Sequence, residues 1–431
     1  MKRWSDLLYW VLHFCSRWML RILYPGTEVA GMDHAKMKGP FIVASNHPNT
    51  LMDPLFSGIF LNERLFFLAH AGLFQNKSLA RFLSIAGVVP IARAKDRAAG
   101  MEVNNDASFS KAIELLASGG CFFIAPEGDS ELELKLRTLK SGLARIALAT
   151  EKRHNWKLGL RILPVALNYE SPTTAFSRAF IQYVEPIEVS DWERAYREDA
   201  ARATKDLTKE LDFRMRSHLI DTRDKVEEKL LLTLSRMHAN DQPAAAEEHY
   251  VRKKKLLKKI RDLSQNERQQ LEAKVSQYTA DLRKSKLIDL SLSDHPNGKL
   301  SVGVVFGFPI FLWGVINHLP ILGLVWFAER LSGILYNYLA TLRGLIGWLG
   351  IFLFYPLQAW LVSHSSSSAW AWLYLLHLPL IGIFSLAYWT TYRPAFALLH
   401  RSRAEQRLIN QRLELKQWIM RLLATDSGYS L

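Results

Sequence analysis

Between residues 40 and 190 of this chain, short apolar runs alternate with segments whose apolar residues recur at helical spacing. The runs PFIVAS (40–45), RLFFLA (64–69), GVVPIA (87–92), CFFIA (121–125), ILPVAL (162–167) and FIQYVE (180–185) predict strands. Asp53–Leu61, Leu73–Ile85, Ala107–Ala117 and Leu139–Thr150 predict the helices between them. Strands that alternate with helices make an α/β layer around a mixed sheet. Because these strands are apolar at nearly every position, the sheet is expected to be mostly buried on both faces. Pro164 interrupts the fifth run, which predicts an edge position or a bulge there.

The pattern changes on either side of this region. The first 24 residues, MKRWSDLLYWVLHFCSRWMLRILY, give a Trp- and Leu-rich helix carrying Arg17 and Arg21. The cations interrupt what would otherwise pass for a signal peptide, and no small-residue cleavage site follows. Such a helix suits a headgroup layer, or else packs on the neighbouring domain. Residues 191–300 are polar and almost free of Gly, with heptad-like apolar positions at Leu230–Leu234 and Leu256–Leu287. They predict a helical hairpin or short coiled coil interrupted at NDQPAAAEE. Within it, VRKKKLLKKIR carries seven cations in eleven residues. That run is either a solvated helix face or a patch for anionic lipid, where each cation adds about 1 kcal/mol. No recognised motif supports nucleic acid as a partner.

Three later runs, 301–327, 344–362 and 370–391, contain no charge and are each long enough for a membrane span. The basic tracts at 252–261 and 401–421 belong on the cytoplasmic side, which requires an even number of crossings. Pro309 and Pro320 divide the first run, so the expectation is a broken or re-entrant hairpin followed by two full spans. The resulting plan is an interfacial helix (1–24), an α/β domain (25–190), a charged, coiled-coil-like helical region (191–300), a transmembrane helical region (301–392) and a basic cytoplasmic tail helix (393–431).

Composition sharpens this plan. Eight of the 13 Trp residues lie after residue 300 and three within the first 18, as expected of side chains that collect at membrane–water interfaces. In a chain of 431 residues, 55 Lys and Arg against 41 Asp and Glu leave a net charge of +14, which favours anionic substrates and surfaces. Cys15 and Cys121 are the only cysteines, too few for a disulfide framework or a Cys-based zinc site.

Candidate chemistry gathers at strand ends, where α/β sheets present reactive groups. Ser45-Asn46-His47-Pro48-Asn49-Thr50-Leu51-Met52-Asp53-Pro54 follows the first run. A neutral His there can act as a general base, and a carboxylate on its other nitrogen fixes the tautomer. Capping of the next helix by Asp53 ahead of Pro54 would explain the same residues without chemistry. Gly87–Arg93 ends a strand with a cation suited to phosphate, and Phe122–Ser130 places Glu127 and Gly128 after another strand. In LRTLKSGLARIAL, Arg137 and Lys140 open a helix that is otherwise simply amphipathic.

Taken in order, these segments resemble the glycerol-phosphate and lysophosphatidate acyltransferase family over roughly residues 30–190. The shared blocks are an Asn-His followed by Asp, a Gly…Arg block, Pro-Glu-Gly and Pro-Val. Two departures stand out: five residues rather than four separate His47 from Asp53, and Asp129-Ser130 replace the usual Thr-Arg. Both are similar to the fungal-type glycerol-3-phosphate/dihydroxyacetone-phosphate branch, with its His-x-Asn-x-x-x-Asp-Pro pattern. The resemblance implies His47 as general base and Asp53 as its partner. It implies Arg93 at the acceptor phosphate and Glu127 with Gly128 shaping the acceptor site. Asn46, Asn49 and Ser130 are further substrate-binding candidates, and Arg137 or Lys140 could supply the missing cation. It also implies a membrane-bound enzyme with a membrane-spanning C-terminal half; the basic tracts add the expectation of a catalytic domain on the cytoplasmic face, at a bilayer containing anionic lipid. No cofactor or metal is expected; acyl-CoA or acyl-ACP is the acyl-donor substrate. The preferred acceptor is glycerol 3-phosphate, ahead of lysophosphatidate and dihydroxyacetone phosphate. A non-catalytic membrane adaptor and a thioester or phospholipid hydrolase are the rivals from other classes.

Overall fold

The computed structural model describes residues 2–70, 74–85, 87–91, 105–172, 174, 176–294, 302–333, 338–399 and 406–424. The chain forms two compact units, one built from Met1–Asp221 and the other from Thr222 onward.

The first unit opens with α1 (Lys2–Leu23). One side of α1 is fixed to the domain. Tyr9 Oη accepts from the Leu65 N–H at 3.0 Å, Arg64 lies over the Tyr9 ring, and Leu20 is fully buried. The other side leaves Leu7, Trp10, Val11, Phe14 and Trp18 exposed at helical spacing. Then come β1 (Glu28–Ala30), α2 (Met32–Ala35), β2 (Phe41–Ser45), α3 (Met52–Gly58), β3 (Leu65–His70), α4 (Lys77–Ile85) and β4 (Val88–Ile91). They are followed by α5 (Asn105–Ala117), β5 (Cys121–Ile124), α6 (Gly142–Arg153), β6 (Arg161–Tyr169), β7 (Ala179–Tyr183), β8 (Ile187–Glu188), α7 (Glu193–Glu198) and α8 (Ala200–His218). All six expected strands are present, and the short β1 and β8 add to them.

The sheet runs β1-β7-β6-β2-β5-β3-β4, with β8 also paired to β6. From β6 through β4 the pairs are parallel, while β6 pairs antiparallel with β7 and β8. Pro164 therefore lies in an interior strand, not at an edge. Its carbonyl accepts from Val184, in the link where the partner of β6 changes from β7 to β8, so the missing N–H falls on a break in the ladder. The unit also extends to Asp221 instead of ending at 190. Asp199 caps α8 by accepting from the N–H groups of Ala201 and Arg202. Leu207, Leu211 and Met215 of that helix then join Leu143, Ile146 and Ala147 of α6 over Ile42, Phe122 and Ile162 of the sheet. At about 25 cal/mol per Å² of apolar surface, removing α8 would cost the core several kcal/mol.

In the second unit, α9 (Lys225–Asp241), α10 (Ala246–Asp262) and α11 (Gln265–Lys284) precede α12 (Val302–Ser332), α13 (Leu339–Ser365), α14 (Ser368–Leu398) and α15 (Gln406–Ala424). Asp224 caps α9, and Ser264 with Glu267 forms a capping box on α11. The terminal helix α15 packs on α9, α10 and α11, so the expected tail belongs to this bundle. The basic run is largely engaged inside it. Arg261 forms a two-bonded pair with Glu227, Lys255 donates to the Leu423 carbonyl, Lys254 donates to Tyr250, Arg252 pairs with Glu248, and Lys253 is buried.

Helices α12, α13 and α14 contain stretches of 30, 25 and 31 residues long and apolar enough to cross a membrane. The expected break at Pro309 and Pro320 is absent, and α12 is one continuous helix. Prolines are tolerated in apolar helices where neighbouring helices and local adjustments satisfy the freed carbonyls. Helix α14 runs antiparallel to α12: Tyr388 Oη donates to the Val304 carbonyl and Tyr374 Oη to Asn317 Oδ1. The ends at Val302 and Leu398 consequently lie at the same end of this helix group.

Candidate active site

Parallel register sets the site. Ala44 of β2 is level with Ile124 of β5, and Ser45 is level with Val165 of β6. The chain leaving β2 therefore emerges beside the Pro-Glu-Gly loop after β5 and the last turn of β6, at the carboxyl edge of the sheet.

Asn46 ties the first loop to β6. Its amide nitrogen donates to the Leu167 carbonyl at 3.0 Å and its oxygen accepts from the Leu167 N–H at 2.9 Å. Glu127 ties the same loop to the segment after β5. One carboxylate oxygen accepts from the His47 N–H and the other from the Arg137 N–H, both at 3.0 Å. Burial pushes the Glu127 carboxyl up from its ordinary range, and those two N–H groups and the neighbouring charges of His47 and Arg137 only partly offset that. Glu127 thus holds two loops in place instead of facing open solvent.

Between these fasteners, His47 Nδ1 meets Asp53 Oδ2 at 2.9 Å. The same oxygen accepts from the Asn49 N–H at 2.6 Å, while Asp53 Oδ1 accepts from Tyr169 Oη at 2.7 Å. Asp53 is not a cap: α3 begins at Met52 after Leu51, which makes no side-chain capping bond. The Asp53 side chain is wholly buried, whereas that of His47 is 21% exposed. A carboxylate can only accept, so Nδ1 carries a proton, and in the neutral ring Nε2 keeps its lone pair. That leaves a positioned proton acceptor at the surface, backed by a buried negative charge.

The Asn49 side chain turns inward. Its amide nitrogen donates to Tyr24 Oη at 2.9 Å and to the Pro172 carbonyl at 2.6 Å. Thr50, at a φ of 38°, donates its N–H to Ser130 Oγ at 3.3 Å. The N–H groups of His47, Asn49 and Thr50 are thus all engaged within the protein.

Gly128 has a φ of 81°, and a Cβ there would meet Lys140 Nζ at 2.2 Å. The positive φ is what favours glycine there, since the flexible end of Lys140 could move aside from a Cβ. Lys140 lies over the Pro-Glu-Gly loop, with its side chain 62% exposed and 3.9 Å from Asp129. Arg137 is paired with Glu131. Arg93 lies outside the described residues. Among the described residues, no group of three or more His, Cys, Asp and Glu side chains comes together to hold a metal.

Two residues of the site escaped sequence reasoning, Tyr24 and Tyr169. Tyr169 could have been found. It ends the strand of the Pro-Val block, at the same sheet edge as His47, and period-two alternation puts it on the face of Val165 and Leu167. Tyr24 carried no such signal, because nothing in its neighbourhood reveals a contact with Pro172.

The acyltransferase family profile matches residues 26–168. Over 88 residues the chain is 33% identical to glycerol-3-phosphate O-acyltransferase 1 of Saccharomyces cerevisiae, a match that covers 20% of this chain and 12% of that protein. It is 25% identical over 159 residues to the chloroplastic 1-acyl-sn-glycerol-3-phosphate acyltransferase of Brassica napus, covering 36% of this chain and 42% of that one. The chain thus spans less than half the length of the curated relatives it matches. The solved structure of PlsC, the 1-acyl-sn-glycerophosphate acyltransferase of Thermotoga maritima, is similar at 17% identity and a TM-score of 0.38. That similarity covers 52% of this chain and 84% of PlsC. The profile match holds both the Asn-His…Asp segment and the Pro-Glu-Gly loop, so that stretch of the chain is similar to the acyltransferase family.

Proposed function

We propose that the chain is a membrane-bound O-acyltransferase that moves an acyl group from an acyl thioester, acyl-CoA or acyl-ACP, to glycerol 3-phosphate. The product is lysophosphatidate, a precursor of phospholipid. The observation that carries this reading is the His47–Asp53 pair, with Nε2 left free at the edge of the sheet. In the step, the acceptor hydroxyl gives its proton to Nε2 while its oxygen attacks the thioester carbonyl carbon. Asp53 stabilises the imidazolium. Collapse of the tetrahedral intermediate breaks the C–S bond, and the thiolate takes the proton back from His47. The donors that hold the oxyanion are not the N–H groups of His47, Asn49 or Thr50, since each already has an acceptor. Lys140 over Gly128 is the best-placed described cation for the acceptor phosphate, with Arg93 as a second.

The five-residue spacing between His47 and Asp53 and the yeast relative favour glycerol 3-phosphate as acceptor. The Brassica relative favours lysophosphatidate as the second reading. Both acceptors leave an acyl product that belongs in a bilayer. The exposed Leu7, Trp10, Val11, Phe14 and Trp18 of α1, beside Arg17 and Arg21, suit an anionic interface. A cytoplasmic face for the catalytic unit is part of this proposal; the charge rule alone does not carry it, since three candidate spans among the described residues replace the even number it requires.

The test uses the full chain purified in detergent, acyl-CoA, and each acceptor supplied separately. Lysophosphatidate formed from glycerol 3-phosphate, and lost in His47→Ala, supports the proposal. Phosphatidate formed only from lysophosphatidate keeps the chemistry and changes the acceptor. Thiol release without any acceptor would favour a hydrolase. Silence with both acyl-CoA and acyl-ACP would overturn the enzymatic reading in favour of an adaptor.

A further inference from the structure

We propose that Tyr169 is a positioning residue for the acyl transfer, acting on His47 through Asp53; the inference rests on the reading of His47 as the base. Asp53 has two oxygens and, in this site, three donors. Oδ2 takes His47 Nδ1 and the Asn49 N–H, and Oδ1 takes the Tyr169 hydroxyl at 2.7 Å. A carboxylate held by donors on one oxygen only can turn about its Cβ–Cγ bond and present the wrong edge to the ring. The Asn49 N–H and the Tyr169 hydroxyl together prevent that, because turning would break bonds on both sides.

The surroundings make this bond difficult to replace. Asp53 is wholly buried, so no water stands ready to satisfy Oδ1 if the hydroxyl is removed. Tyr24 and Phe56 close the site around Tyr169, with ring centroids 5.8 and 5.7 Å from its own. Tyr169 itself is held by β6, whose backbone is bonded to β2, β7 and β8. Its hydroxyl therefore approaches Asp53 from a rigid strand rather than a loop. Burial, and next the Asp53 charge, push the phenol well above its ordinary range, so it stays a donor at every working pH.

A hydrogen bond to Oδ1 also draws charge away from Oδ2, which lowers the support that Asp53 gives to a protonated His47. Removing the bond raises the proton affinity of His47, and strengthening it does the reverse. This separates Tyr169 from an ordinary core tyrosine such as Tyr183. The Tyr183 hydroxyl is equally buried but donates to the Ser57 carbonyl at 3.0 Å and has no bond to Asp53.

The experiment measures kcat, KM and the pH profile of kcat/KM for the full-length chain in detergent. For Tyr169→Phe, the expected result is a fall in kcat of about tenfold, with both KM values within about twofold. The acid limb should move up by roughly half to one pH unit. Tyr183→Phe should leave the limb in place. As an activity-independent readout, the pH dependence of carbethoxylation at His47 should move with the limb. Should Tyr169→Phe fail to fold, 3-fluorotyrosine at 169 keeps the shape and strengthens the donor, and the limb should then move down. In the Asp53→Asn background, Tyr169→Phe should cost nothing more in kcat. An unmoved limb in both Tyr169 variants, with His47→Ala inactive, would overturn the positioning role alone. Full activity in His47→Ala would overturn the base assignment itself.

Discussion

Two buried carboxylates, one in each unit of the molecule, are built from nearly the same parts and end in opposite states. Asp53 accepts from a tyrosine hydroxyl, a backbone N–H and the ring of His47. Asp289 accepts from the Tyr278 hydroxyl at 2.5 Å, from the Asn240 amide at 2.8 Å, and from Arg412. The difference lies in the cation. Arg412 spends its guanidinium on Asp289 and Asp241, and its side chain is 5% exposed. It joins α15 to α9 and to the segment after α11, with four of its five N–H donors bonded to the two carboxylates. His47 spends one nitrogen and keeps the other at the surface. A saturated buried ion pair is a fastener, and it costs desolvation that good geometry must offset. A pair with one functional atom still unspent is a candidate site.

The contrast can be broken most directly with His47→Ala, expected to lower acyl transfer by about 10²–10⁴-fold and, because it takes one donor from buried Asp53, to cost about 1–3 kcal/mol of stability. Activity that survives would erase the distinction between the two clusters. Arg412→Met should do the opposite. Buried Asp289 would lose the cation paired with it, while Asp241 would keep Lys416 and the Asp294 N–H; the loss should cost the second unit about 3 kcal/mol, read as lost thermal stability in detergent, with kcat of the remaining folded protein unchanged. Removing the two matched hydroxyls sharpens the comparison. Tyr278→Phe leaves Asp289 one donor short and should cost about 1–3 kcal/mol of stability without moving any pH profile, whereas Tyr169→Phe should move one.

The smallest effects are those of pH on stability, and their signs oppose. Burial raises the Glu127 carboxyl. Its contribution is therefore present below the unfolded value and lost as pH rises through the folded one. Asp241 is pushed up by burial, but the hydrogen bonds from Arg412 and the Asp294 N–H, with the charges of Arg412 and Lys416, outweigh that and leave it lowered. Its contribution is present above the unfolded value and lost as pH falls through the folded one. Unfolding midpoints recorded across the acid range should show Glu127→Gln removing the first slope and leaving the second. Loss of both slopes together would mean that the two units do not unfold separately.

Much of this protein was legible before any coordinates. Continuous apolar runs between helical segments have few alternatives to a buried, mostly parallel sheet, and all six appear as strands. Length and the absence of charge suffice to identify helices able to cross a bilayer. The Asn-His…Asp and Pro-Glu-Gly segments stood out because reactive groups at strand ends follow from how parallel sheets are wound.

What the tertiary structure decided falls into two kinds. The first is long-range partnership. That Tyr169 reaches Asp53, that Tyr24 reaches Asn49, and that Arg412 finds Asp241 and Asp289 all involve residues far apart in sequence. No local period encodes such pairs. The second is the resolution of local conflicts. Pro164 reads as a strand edge or a bulge, and it sits inside the sheet because its lost donor coincides with a break in the ladder, where the partner strand changes. Pro309 and Pro320 read as breaks, yet α12 continues because an apolar helix has no better way to satisfy its backbone. The seven cations of α10 read as a patch, yet most are engaged by acids, carbonyls and rings that only the bundle brings near. Sequence alone determined which segments must be buried and which residues could do chemistry, because hydrophobic period and side-chain type are local. Which partners those residues met was decided only when distant segments were brought within hydrogen-bonding distance of one another.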